Sequence, residues 1–131
     1  MAVGFALAGS VALGCQQSTQ CEHERLELSK TWETLRNTAA SRKHVPEESP
    51  LTEAERTERL QSWTKIEEKA DLIRSSFETR QVTWEPAERA RKDLEELYKT
   101  AANPNDPLIQ GFGVLLGTAD KQYEGFRSAC K

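Results

Sequence analysis

Three features of this 131-residue chain predict an all-α fold, an antiparallel up-and-down four-helix bundle. Four stretches carry apolar residues at steps of three and four, and none alternates with the period of two that a strand needs. Proline-bearing breaks separate most of these stretches and are short enough to join antiparallel neighbours. Two of the three cysteines, Cys21 and Cys130, fall at the start of the first stretch and the end of the last, in phase with their apolar stripes. An up-down-up-down topology lays those two ends side by side.

The first helix is expected to open at Thr19, where Thr19-x-x-Glu22 matches a capping box. Its stripe is Cys21, Leu28, Trp32, Leu35 and Ala39, and it fades by Lys43. The stretch from His44 to Pro50 reads as a loop, since two prolines interrupt backbone bonding there. A second capping box, Thr52-x-x-Glu55, opens a long helix expected to reach about Gln81, with Leu60, Trp63, Ile66, Ala70, Ile73 and Phe77 inward. Val82 to Glu85 forms a corner, and Pro86 suits the first turn of the third helix. That helix presents Ala87, Ala90, Leu94, Leu97 and Ala101 to the core. Outside, Glu85–Arg89, Glu88–Lys92 and Glu95–Lys99 stand four apart in the favourable order, each pair worth about 0.2–0.5 kcal/mol. After the break Asn103–Pro107, Asp106 and Pro107 supply an N-cap and first helical position. The last helix is the most apolar, with Leu108, Phe112, Leu116, Ala119, Tyr123, Phe126 and Cys130 along one side.

A Cys21–Cys130 disulfide would close a loop of about 110 residues and stabilise the fold by roughly 4–5 kcal/mol on the chain-entropy model. It requires an oxidising compartment.

The opening run Met1 to Cys15 has no charged side chain and is built mainly from small and apolar residues. As a helix, Met1 to Gly14 would span about 21 Å, short of the roughly 30 Å hydrocarbon core, so it reads as a signal-peptide core rather than a permanent span. Its exit, Ala12-Leu13-Gly14-Cys15, resembles the lipobox of bacterial lipoproteins. It departs from the usual pattern in having Ala12 where that family most often has leucine, and no Lys or Arg precedes it. The resemblance covers only this segment. It implies cleavage before Cys15, diacylation of the Cys15 sulfur with palmitate-like chains, and acylation of the new amino terminus. The organisation would then be a removed signal (1–14), a lipid tether (15–18) and one helical domain (19–131). Gln16 stands where an aspartate tends to retain such proteins at the inner membrane, so the resemblance implies the outer membrane, facing the periplasm or cell surface. Ala12-x-Gly14 also fits an ordinary secretory cleavage site, which would leave Cys15 an odd thiol. A third reading keeps the segment as a buried apolar start in a cytosolic protein.

The net charge of −3 and pI near 5.5, with no Lys/Arg cluster, argue against nucleic acid as a partner. There is no phosphate-binding loop, nucleophile elbow or Cys-x-x-Cys pair, and no catalytic, cofactor or metal site is expected. His23 has Glu22, Glu24 and Glu27 near it in sequence, but one imidazole on a charged helical face reads as solvated. His44 falls in a loop. Gly113-x-x-x-Gly117 leaves two bare patches on one face of the last helix, read as close packing within the bundle or as a seam for a second copy or a partner helix. With a tether of three residues the bundle would sit against the membrane, with Trp84 either among lipid headgroups or packed over the helix ends. The loops 44–50 and 103–107 would then face a partner. The expected function is that of a small lipid-anchored envelope protein, a structural or accessory subunit that binds a protein partner near the membrane. The alternative is a soluble exported bundle that binds a small ligand or acts as a chaperone or inhibitor.

Overall fold

The computed structural model describes residues 2–43, 52–79, 84–101 and 107–130, with side chains in the first helix from Thr19 onward. Four helices follow in order: α1 (Ala2–Arg42), α2 (Glu53–Glu78), α3 (Glu85–Ala101) and α4 (Pro107–Ala129). Sequential neighbours run antiparallel. Arg25 meets Phe77 and Glu78 while Arg36 meets Asp71, so α1 and α2 are opposed. Lys69–Asp93 joins α2 to α3, Arg91–Asp120 joins α3 to α4, and a Cys21–Cys130 disulfide joins α1 to the end of α4. The chain is therefore an up-down-up-down four-helix bundle whose terminal helices are covalently closed.

The core follows the predicted stripes in most places. Leu28, Trp32, Leu35 and Ala39 of α1 meet Trp63, Ile66, Ala70, Ile73 and Phe77 of α2. Ala87, Ala90, Leu94 and Ala101 enter from α3, and Ile109, Phe112, Leu116, Ala119 and Phe126 from α4. Aromatic rings gather at the two ends of the core. At one, Trp63 meets Phe112 edge-on at 5.3 Å and Tyr98 stacks on Phe112 at 5.3 Å. At the other, Phe77, Trp84, Tyr123 and Phe126 pack together.

Several expectations are corrected. Thr19 does not start a helix, because α1 is already helical from Ala2. No proline interrupts the chain there, and a capping box acts only where the upstream backbone leaves the helix. Gln16 to Ser18 are helical as well, so these three residues rise about 5 Å rather than the 14 Å or less of extended chain. At Thr52 the box does form. The threonine side chain accepts from the Glu55 N–H, and the Glu55 carboxylate accepts from the Thr52 N–H, which holds that carboxyl below its usual range. Leu60, on the predicted stripe of α2, is 47% exposed. Helix α2 stops at Glu78, before Gln81, and Val82 and Thr83 of the predicted corner lie outside the described residues. On α3, Glu95 pairs back to Arg91 and Lys99 reaches Glu96.

The largest departure is Arg25. The predicted stripe of α1 jumps seven residues from Cys21 to Leu28, and Arg25 fills the gap. It is 9% exposed, and one of its terminal nitrogens donates to the carbonyls of Phe77 at 2.6 Å and Glu78 at 2.7 Å. These are two of the last four carbonyls of α2, which have no partner within their own helix. The other terminal nitrogen and Nε bind the Glu22 carboxylate at 2.6 and 3.3 Å. A cation from α1 thus closes the negative end of α2.

Replacing Arg25 with Met keeps the aliphatic stem and removes the charge. It is expected to lower stability by about 1.5–3 kcal/mol, the range for hydrogen bonds to charged groups, in urea denaturation with the disulfide intact. Arg25→Lys should recover only part of the loss, because one ammonium lacks the fork that serves both carbonyls and a carboxylate.

Candidate functional site

The residues singled out by sequence fall into two regions. The first is the end of the bundle where α1 and α4 join. Cys21 and Cys130 are bonded there, with Cα atoms 4.9 Å apart. Arg25 lies one turn further along α1 and donates to the carbonyl of Phe77, whose ring packs with Trp84, Tyr123 and Phe126. Trp84 stacks on Phe77 at 5.3 Å and meets Phe126 edge-on at 4.8 Å, so its ring packs over the helix ends. Beyond Cys21 the backbone of α1 continues toward its start without a break, carrying the helix about 28 Å past the disulfide. Cys15 is in this extension, and its side chain lies outside those described.

The second region is the seam between α3 and α4. Among the described residues, no Cα of α3 comes within 8 Å of one of α4, although the other three sequential or terminal pairs approach closely. Side chains bridge the wider gap. Tyr98 reaches across and its hydroxyl donates to the Ile109 carbonyl at 2.7 Å. Arg91 forms a two-pronged pair with Asp120, both bonds 2.9 Å. Gly113 has its reason here: a Cβ at that position would lie 2.8 Å from the Tyr98 hydroxyl oxygen. Gly117, by contrast, would meet nothing within 4 Å, and Gly111 likewise. The two bare patches therefore do not receive a neighbouring helix of the same bundle. One admits a tyrosine, and the other is open beside Val114, which is 73% exposed.

Burial pushes the Tyr123 hydroxyl up to about 12, with the nearby Glu88 carboxylate adding to the shift and Arg127 opposing it. Burial and then Glu95 raise Tyr98 as well. His23 is exposed, and its neighbour Glu22 is committed to Arg25. Among the described residues, no group of three or more His, Cys, Asp or Glu side chains is placed to hold a metal ion. His44 and the loops 44–50 and 103–106 lie outside the described residues. No described helix is long and apolar enough to cross a membrane.

Sequence reasoning missed Arg25, Tyr98 and Ile109. The heptad-like gap between Cys21 and Leu28 was the available signal for Arg25. Nothing local distinguishes Tyr98 from a surface tyrosine beside Leu97. Comparison with protein-family models, curated proteins and solved structures finds no match to this chain.

Two outcomes are expected. Changing both Cys21 and Cys130 to Ser should cost about 4–5 kcal/mol in denaturant unfolding on the chain-entropy model, and in the unaltered protein both sulfurs should resist alkylation until reduced. Stability should also decline in strong alkali. Because Tyr123 and Tyr98 ionise later in the folded chain than in the unfolded one, the unfolded state loses protons first. Their contribution is complete below pH 10.0, the ordinary tyrosine value, and is lost above it, that of Tyr123 as pH rises toward about 12. Thermal denaturation of Tyr123→Phe should show a shallower decline across that window.

Proposed function

We propose that this chain is a small lipid-anchored protein of a bacterial envelope, a structural or accessory subunit that holds a protein partner close to the membrane. The observation that carries this reading is the uncharged run from Met1 that ends in Ala12-Leu13-Gly14-Cys15 ahead of a charged helical domain. Cys15 would receive the acyl chains, and the first 14 residues would be removed. The helical backbone of Cys15 to Cys21 bears on the geometry. Six steps of helix carry the chain about 9 Å along the axis from the lipidated residue to the disulfide. A bundle held on so short a helical stalk stays at the headgroup level with its disulfide end toward the lipid. A disulfide between the terminal helices agrees with an oxidising, extracytoplasmic setting.

Such a protein works by display. The lipid confines the bundle to a surface, and an exposed face of it binds. The outer face of the first half of α4 is a candidate for that contact, since Gly111, Val114 and Gly117 leave it shallow and residues 108–119 carry no charged side chain. Either a partner subunit or a second copy would lie there.

The test is chemical. In the native host's membrane fraction, intact and N-terminal-peptide mass spectrometry should find a chain that begins at Cys15 and carries acyl groups. Cys15→Ser should move the protein out of that fraction. A chain that begins at an unmodified Cys15, or a serine variant that stays membrane-bound, would overturn the reading.

A further inference from the structure

The seam between α3 and α4 holds an open-mouthed cavity of about 190 Å³. Its origin is legible in the order of side chains. Toward the 98/112 end Tyr98 stacks on Phe112 across the gap, and midway Leu94 of α3 and Leu116 of α4 are both buried. Nearer the disulfide the inward residues are Ala87 on α3 and Ala119 on α4, both buried. Two methyl groups cannot fill a gap set elsewhere by aromatic rings, so space remains between them. Trp32, Ile73, Phe77 and Tyr123 complete its inner lining. The mouth is ringed by Glu88, Arg91, Lys92 and Asp120, two acidic and two basic groups. Arg91 is already held by Asp120 and Glu95, each at 2.9 Å.

We propose that this cavity is a binding site for a neutral, single-ring aromatic molecule. Its volume exceeds the roughly 150 Å³ of an apolar protein cavity that takes up benzene, and it falls well below the 300 Å³ or more of drug-sized sites. Three of its six inner residues are aromatic, and ring-on-ring contacts favour a flat π-system over a plain alkyl chain. The balanced mouth offers no net charge to an anion or a cation, and its strongest cation is already satisfied. This site is independent of the lipid anchor, because every residue that forms it lies between Trp32 and Tyr123.

The experiment is a titration of the 15N-labelled protein with p-cresol, followed by NMR. Saturable shifts are expected at amides of residues 87–92 and 119–123, with Kd below about 1 mM. Nuclear Overhauser contacts should link the cresol methyl group to the rings of Trp32 and Tyr123. Ala119→Leu and, separately, Ala87→Leu fill the space and should weaken binding at least tenfold, with circular dichroism reporting whether each variant retains its helices. Benzoate and benzylamine should bind more weakly than p-cresol. Absence of saturable shifts, shifts without those contacts, unchanged affinity in a folded filled variant, or equal binding of either charged analogue would overturn the proposal. The contacts to Trp32 and Tyr123 decide the matter even where neither leucine variant folds.

Discussion

The geometry of the disulfide end depends on where one buried cation finds its partners. Arg25 occupies a core-facing position of α1, where a charge without partners would cost several kcal/mol. Glu22 on the same helix satisfies part of it, and the carbonyls at the end of α2 satisfy the rest, which they can do only if α2 ends level with Arg25. That requirement fixes how far α2 slides along α1. It also places Phe77 at the bundle's end, where it receives Trp84 and Phe126. Cys21, one turn earlier on α1, is then level with the last residues of α4. A hydrophobic side chain at position 25 would pack but would tolerate neighbouring registers, since apolar contacts carry little direction.

The opposite constraint acts at the α3–α4 seam. These helices are joined by long side chains rather than by close backbones. Tyr98 spans the gap at one end and is accommodated because residue 113 has no Cβ. Arg91 spans it midway to Asp120. The separation they impose persists down the seam to Ala87 and Ala119, whose side chains are too small to close it. The cavity therefore follows from a mismatch between spacers and fillers on the same pair of helices. The seam is also the side of the bundle with least backbone contact.

Legibility differed element by element, for physical reasons. Thr52 and Thr19 carry the same capping pattern, yet only Thr52 caps. The pattern states what a helix start can use, while the upstream residues decide whether a start occurs. Leu60 obeys the spacing of α2's stripe yet is half exposed, because periodicity gives the face of a helix and says nothing about how far along it is covered. Gly113 and Gly117 look equivalent in sequence, and one meets a tyrosine while the other meets no side chain. That difference comes from α3, whose relation to α4 is not written in either helix.

The sequence by itself determined the four helices, most of the residues that face inward, the antiparallel order and the pairing of Cys21 with Cys130. Each of these follows from short-range periodicity, helix-breaking residues and chain-length limits that act along the chain. Tertiary structure alone decided that Arg25 caps α2, that Tyr98 wedges the last seam open, and that Ala87 and Ala119 line a cavity instead of a close contact. These depend on axial register and interhelical distance. Both are set when several helices satisfy their packing and hydrogen bonds at once, and no single segment encodes them.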